Sequence, residues 1–349
     1  MFPLDTWYVA ATSDEIASTP GGCLGRKICG QDIAFYADSE GTLHGLEDWC
    51  PHRGAPLSLG RVCEGKLVCG YHGLVMGSDG KAIALHDMPT RSFEPIRVYP
   101  VAERHGYVWV WPGDPARADA NKIPKPAWAD NPEWAFGGGM FHIACDYRLM
   151  IDNLMDLTHE TYVHATSIGQ KEIDEAPCTT DAQGDEVTTS RFMNDIPAPP
   201  FWQMALRLNG LPTDRKVDRW QICHFEPPSQ VMIEVGVALA GNGGYKAPAE
   251  VKASAIVVDY ITPETETSIW YFWGFARHFK PHDASLTTQI REGQAKIFAE
   301  DLAMLERQQT NHLRNPGRKL ANMRIDAGGV YARRIIDKLI AAERSTVAV

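Results

Sequence analysis

The sequence predicts an α+β chain in two parts, an all-β domain over residues 1–113 and a mixed domain over 114–349. Three observations carry this prediction. Short β-rich runs separated by turn signals fill roughly the first 110 residues. Longer strand-like runs occupy 215–240 and 251–276. Apolar side chains recur at helical spacing over 284–313. A length of 349 residues suits two domains, and 44% hydrophobic with 22% charged residues is an ordinary globular balance.

In the first part the strand-like runs are Trp7-Tyr8-Val9-Ala10, Ile33-Ala34-Phe35-Tyr36, Lys66-Leu67-Val68-Cys69 and Gly106-Tyr107-Val108-Trp109-Val110-Trp111. Pro20-Gly21-Gly22, Ser39-Glu40-Gly41 and Ser78-Asp79-Gly80 punctuate them, and no helical period is evident. Pro112-Gly113-Asp114-Pro115 ends the pattern and sets the boundary near 113. In the second part, 148–165 reads as a helix, and Gln230–Val237 and Ala255–Ile261 read as strands. Ile290, Ile297, Phe298, Leu302 and Leu305 mark one stripe of the long helix, and a last helix is predicted over 330–343. The Pro-rich 195–200 and Gly/Ala-rich 236–250 read as flexible segments over a pocket or interface.

Forty-four acidic against 34 basic residues give a net charge of −10. Nonspecific nucleic-acid or anionic-membrane binding needs the opposite sign. No run of about 18 apolar residues occurs, and no basic-then-apolar leader opens the chain, so a cytoplasmic location is expected. Eight cysteines in such a chain read as reduced thiols or metal ligands rather than a disulfide scaffold.

Two of them stand out. Cys50-Pro51-His52 is followed, sixteen residues on, by Cys69-Gly70-Tyr71-His72. Each short loop offers one thiol and one imidazole. Zinc fingers usually pair Cys with Cys and His with His. The mixed pairs instead suit a [2Fe-2S] cluster with two Cys on one iron and two His on the other, which raises the reduction potential over an all-Cys cluster. A structural zinc site is the rival reading. Cys23, Cys29, Cys63, Cys145, Cys178 and Cys223 lack partners at ligand spacing and read as small buried hydrophobes.

The second constellation is Asp152-Asn153-Leu154-Met155-Asp156-Leu157-Thr158-His159-Glu160-Thr161-Tyr162-Val163-His164. On a helix, Asn153, Asp156 and His159 share a face. His164 lies about 140° further round, so both histidines reach one metal only across an irregularity, expected around Thr161–His164. A plain amphipathic helix is the alternative. A third ligand would complete the two-His-one-carboxylate set of non-haem Fe(II) oxygenases. Glu300 and Asp301 are the candidates. Asp301 falls on the apolar stripe with Ile297, Phe298 and Leu305, where an acid must be paired or metal-bound, and is chosen over Glu300 on the wetter side. An acid paired with an Arg there is the competing explanation.

Together, Cys50-X-His52 with Cys69-X-X-His72 and, about a hundred residues later, Asp156-X-X-His159-X4-His164 resemble the Rieske-type non-haem iron oxygenases over essentially the whole chain. The runs Cys50-Pro51-His52-Arg53-Gly54-Ala55-Pro56-Leu57-Ser58, Phe298-Ala299-Glu300-Asp301 and Ile325-Asp326-Ala327-Gly328-Gly329-Val330 look similar to the O-demethylase branch of that family.

The resemblance implies a catalytic domain with an antiparallel sheet wrapped by helices, of the helix-grip, ring-hydroxylase type. It implies a Rieske [2Fe-2S] cluster on Cys50, His52, Cys69 and His72, and a mononuclear Fe(II) on His159, His164 and Asp301. It also implies a homotrimer in which Asp156 bridges His72 of one subunit to His159 of the next, with Asn153 close to the iron. Electrons would come from a separate FMN/ferredoxin-type reductase using NAD(P)H. The implied reaction is O2-dependent monooxygenation of an aryl methoxy group, as of vanillate, giving protocatechuate and formaldehyde. Action on another methoxy- or methyl-arene, ring hydroxylation, and electron transfer without oxygenation are the alternatives.

For a substrate carboxylate, Arg191, Arg207, Arg219 and Arg277 are the available partners in the catalytic half. Asp259 and Glu234 would face either the pocket or solvent. Trp202, Trp270, Phe272 and Trp273 are either pocket walls or core. Residues 1–115 hold nine basic and fourteen acidic side chains, so docking of an acidic electron donor needs a local basic patch, from Arg53, Arg61, Lys66 or Arg97.

Overall fold

The computed structural model describes residues 1–86 and 88–347. It divides into two compact units, Met1–Lys125 with Thr262–Glu266 and Ala342–Val349, and Pro126–Ile261 with Thr267–Ala341. The first unit thus runs past residue 113. Arg117 pairs with Asp5 at 2.7 Å, and Trp7 Nε1 donates to the Asp119 carbonyl at 2.9 Å. These bonds tie the Pro/Ala-rich stretch to the N-terminal strand.

The first unit is three small sheets. One joins Tyr8–Thr12, Tyr107–Val110 and Val101–Arg104. A second joins Cys23–Ile28, Gln31–Ala37, Leu43–Glu47 and Val98–Tyr99. The third joins Arg61–Cys63, Lys66–Val68, Val75–Met76 and Ala82–Ala84. The unit is not wholly β, because Ser13–Ser18 forms a short helix with Ile16 buried. At six residues it is too short for a periodicity to show.

The second unit holds a seven-stranded antiparallel sheet in the order Ala135–Ile143, Ser268–Arg277, Lys252–Thr265, Gln230–Leu239, Val217–Glu226, Glu186–Ile196 and Cys178–Gln183. The 217–226 strand is buried along most of its length and pairs in register, with Gln221 opposite Val235 and Cys223 opposite Ile233. Ile233 in turn sits opposite Val257. Since side chains alternate along a strand, Arg219 and Gln221 share one face of the sheet with Val235, Ile233 and Val257.

The long helix spans Ala284–Arg314, with Asp283 accepting from Leu286 N at 2.9 Å as its N-cap. Its buried stripe is Leu286, Ile290, Phe298, Asp301, Leu305 and Gln309. Gln309 Oε1 accepts from Asp146 N at 2.9 Å, just before the helix Tyr147–Met155. That bond fixes the register of the long helix against the site helix, two turns away from Asp301. A last helix runs Ala327–Val347.

Three expectations need correction. The 148–165 helix is two: the first stops at Met155, Asp156 is extended, and a short helix covers Glu160–Val163. The short helix ends at Val163 and leaves His164 non-helical, the irregularity expected around Thr161–His164, and a second, unexpected break lies at Asp156–Thr158. Asp156 Oδ1 takes the Thr158 N–H at 2.7 Å, and Arg191 donates to the Leu157 carbonyl, so these side chains replace helical bonds. The Pro-rich 195–200 ends in a helix, Pro200–Leu208, because proline at the first helical position supplies the required φ without losing a bond. In the Gly/Ala-rich segment, the strand runs on to Leu239, and two short 3₁₀ turns follow at Gly244–Lys246 and Ala249–Val251.

Candidate metal centres and substrate pocket

The two Cys/His loops share one backbone frame. The Cys N–H donates to the carbonyl five residues on, Cys50 to Ala55 at 2.9 Å and Cys69 to Leu74 at 2.8 Å. The Cys carbonyl accepts from a glycine four residues on, Gly54 at 2.8 Å and Gly73 at 3.0 Å. Both glycines are left-handed, with φ of +68° and +76°, a conformation that side chains disfavour. The matched frames bring the sulfurs together in an apolar core with Leu57, Leu67, Leu74 and Met76. The His52 and His72 rings meet nearer the surface, with centroids 4.6 Å apart.

Burial is the main cause that raises the Cys50 thiol, against backbone N–H groups of His52 and Arg53 that favour its charged form. His52 Nδ1 is buried without a hydrogen bond. Paired thiols inside, paired imidazoles outside, N–H groups directed at sulfur and an orphaned ring nitrogen together fit a cluster with two Cys on one iron and two His on the other. Trp49, Leu59 and Tyr71 are exposed apolar side chains of this loop region, with Arg53, Arg61 and Lys66 exposed beside them in sequence. Arg97 is committed elsewhere, donating to Gln31 Oε1 at 2.8 Å and to the Pro112 and Gly113 carbonyls at 2.7 Å. All eight cysteines are free thiols.

In the second unit, ligand atoms of His159, His164 and Asp301 all lie within 4.8 Å of one another. Asp301 faces both imidazoles, Oδ1 at 3.6 Å from His159 Nε2 and Oδ2 at 3.2 Å from His164 Nε2. The break at Asp156–Thr158 makes this possible, because it sets both histidines at the ends of one short helix. Glu300 turns instead to the other side of His164, with Oε2 2.6 Å from Nδ1 and 2.9 Å from Ser167 Oγ. Burial opposes charge on His164, yet Asp301 and Glu300 outweigh it and the ring is pushed up to about 9. The same surroundings suit a cation on Nε2, with Glu300 holding Nδ1–H in the carboxylate–histidine–metal manner. Two imidazoles and one buried carboxylate fit a non-haem Fe(II) triad.

Asn153 Nδ2 donates to Asp301 Oδ1 at 3.0 Å, and its own Oδ1 is buried and unpaired. Asp156 Oδ2 lies 3.9 Å from His159 Nδ1, which also lacks a partner.

The triad lines a pocket walled by Leu157, Ile168, Phe201, Trp202, Ile233, Val235, Val257, Phe275, Ile297 and Phe298. Of the four candidate arginines, only Arg219 is among its lining. Arg191 is bonded to Leu157 and Thr158, Arg277 to Thr287, Lys280 and Asp283, and Arg207 is exposed. Of the four aromatics, Trp202 lines the pocket, whereas Phe272 and Trp273 are core. Asp259 faces neither pocket nor solvent. It is fully buried, accepts from Tyr271 OH at 2.6 Å, and is pushed up to about 8 chiefly by burial. Glu234 is half exposed and meets His224 Nε2 at 3.1 Å. Sequence reading missed Glu160 and Gln221, which also line the pocket. The available signal was two polar residues, Arg219 and Gln221, at alternate positions on the same strand face as Val217, Cys223 and Phe225.

A Cys2His2 double loop in one unit and a two-histidine, one-carboxylate pocket in the other define the Rieske-type oxygenase class. Residues 6–100 match the Rieske [2Fe-2S] domain, and residues 143–342 match the vanillate O-demethylase oxygenase C-terminal domain. Vanillate O-demethylase oxygenase subunits of two Pseudomonas strains are 63% identical to this chain, one over 99% of it and 96% of the relative, the other over 92% and 98%. The crystal structure of dicamba monooxygenase bound to 3,6-dichlorosalicylic acid superposes with a TM-score of 0.87 at 31% identity, covering 100% of this chain and 99% of that one. The chain belongs to the vanillate O-demethylase oxygenase family of Rieske non-haem iron oxygenases.

Proposed function

We propose that this chain is the terminal oxygenase of an O-demethylase that converts vanillate to protocatechuate and formaldehyde. The carrying observation is the apolar pocket into which His159, His164 and Asp301 converge beside a small polar group. The balance is one aryl methyl ether, O2, two electrons and two protons giving phenol, formaldehyde and water. Cys50, His52, Cys69 and His72 hold the cluster, and His159, His164 and Asp301 hold Fe(II). When bound, the cluster supplies single electrons and the Fe(II) supplies the position at which O2 is reduced. The protein's own part is placement: the apolar walls exclude water and hold the methoxy group, rather than the ring, at the triad. Asn153 fixes one Asp301 oxygen and leaves its carbonyl free to accept a proton donor beside the metal.

The cluster domain spans 1–113 and the catalytic domain 114–349 in this reading. Electrons arrive from an FMN/ferredoxin-type reductase. The working assembly is a cytoplasmic homotrimer in which Asp156 links His72 of one subunit to His159 of the next. The half-exposed His72 and the approach of Asp156 to the unpaired His159 Nδ1 support that path. Among the described residues no helix is long and apolar enough to cross a membrane. With iron-loaded protein, reductase and NAD(P)H, vanillate is expected to give formaldehyde and protocatechuate in equal amounts. NAD(P)H consumption without either product would sink the reading.

A further inference from the structure

The polar group in the pocket is more specific than a generic anion site. Glu160 and Gln221 are 6% and 3% exposed, so both are desolvated. Gln221 Nε2 donates to Glu160 Oε1. A carboxylate only accepts, so this contact fixes the amide with its nitrogen towards Glu160 and its oxygen away. That oxygen, Gln221 Oε1, is buried with no hydrogen bond, and so is Glu160 Oε2. Gln221 Oε1 is therefore left without a donor, and Glu160 Oε2 has only a long 3.6 Å ion pair with Arg219 Nη2, in a pocket walled largely by apolar side chains, a costly arrangement unless a ligand supplies a proton.

Arg219 does not convert the site into a carboxylate receptor. Its Nη1 donates to Gln170 Oε1 at 2.8 Å and its Nη2 is 3.6 Å from Glu160 Oε2, which leaves only its buried Nε without a partner. Burial disfavours its charge and Glu160 offsets this only in part, so the guanidinium is held below its usual range with Glu160 as its main counter-charge. A substrate carboxylate placed there would lie against Glu160. Glu160 and Gln221 line the same pocket as His159, His164 and Asp301, so one bound substrate faces both. With its methoxy group at the triad, the ring substituent beside that group is the one assigned to this subsite.

Resting on the demethylase reading above, we infer that Glu160 and Gln221 form a donor-selecting subsite that binds the free phenolic hydroxyl ortho to the methoxy group. Arg219 is a positioning residue that holds Glu160. Substrates with a hydrogen at that ring position offer no donor to either acceptor, whereas the hydroxyl donates its one proton to Gln221 Oε1 or Glu160 Oε2, and sites built around a hydrogen bond reject the analogue that lacks it strongly.

The test compares kcat/KM for formaldehyde release from vanillate and from 3-methoxybenzoate. The iron-loaded wild-type enzyme is expected to favour vanillate by at least about tenfold. In Gln221→Leu, or the volume-matched Gln221→Met, that ratio is expected to fall at least about fivefold while both metal contents are retained; taking a ratio within each variant cancels general damage. A wild-type ratio within about twofold of one overturns the inference, and so does a ratio unchanged in a folded, metal-loaded variant. Should neither variant fold, the wild-type ratio decides. No formaldehyde from vanillate at all instead sinks the demethylase reading, which keeps the two failures apart.

Discussion

The two candidate metal centres are built in opposite ways. The cluster loops place four ligands within 23 residues, on twin turns whose backbone bonds repeat one another. The triad draws its carboxylate from 137 residues beyond its nearer histidine, on a helix whose register is set by Gln309 and Asp146. The cluster site is thus a local device in small hairpins, whereas the triad depends on the tertiary packing of its unit. Ligand loss should therefore stay local at each centre, and their supporting shells should fail differently.

The largest effect is expected from His159→Ala. Partners behind a ligand cost about 10–100-fold when lost, and the ligand itself should cost more. Formaldehyde production is expected to fall more than about 10³-fold with loss of mononuclear iron, while the visible spectrum and EPR signal of the reduced cluster stay unchanged. A cluster lost together with the iron would show that the two centres are not independent. Asp156→Asn comes next. Both metals are expected to stay loaded while turnover falls on the order of 10²-fold, the scale of a misplaced connecting group. Near-normal turnover would remove Asp156 from the electron path.

How much of each centre is legible in the sequence follows the same division. Cys50, His52, Cys69 and His72 are readable because their spacing is their geometry. Asp301 is readable only indirectly, as an acid on an apolar stripe. Glu300 looks like a failed ligand candidate in sequence, and only the packed helix shows it meeting His164 from behind. The helix break at Asp156–Thr158 is hidden because Arg191, which bonds there, comes from a strand more than thirty residues away. Gln221 is hidden for the same reason. Its partner Glu160 is 61 residues distant and its role depends on strand register.

Glu300→Gln sharpens the comparison on the triad side. Iron affinity is expected to fall about 10–100-fold and to be recovered by excess Fe(II), because the amide cannot stabilise the imidazole as the carboxylate does. Unchanged iron retention would reduce Glu300 to a packing residue. The cluster's supports are backbone bonds, so no single side chain there offers an equivalent substitution.

The smallest expected effect tests whether the twin loops are energetically twins. Gly54 and Gly73 occupy the same position in the frame with nearly the same left-handed φ. Alanine at either pays the left-handed penalty of about 1–2 kcal/mol. Their surroundings differ. A Cβ on Gly73 has nothing nearer than His86 Nε2 at 4.0 Å, whereas one on Gly54 would come within 2.5 Å of the Trp49 ring. Trp49 is exposed and free to swing aside, so the extra cost is that of displacing an indole rather than of breaking the loop. Thermal unfolding of the cluster-loaded variants is therefore expected to rank Gly54→Ala below Gly73→Ala by a few degrees. Equal midpoints would mean that Trp49 contributes nothing to its loop. A neutral Gly73→Ala would mean that the left-handed turn is not what holds the second pair of ligands in place.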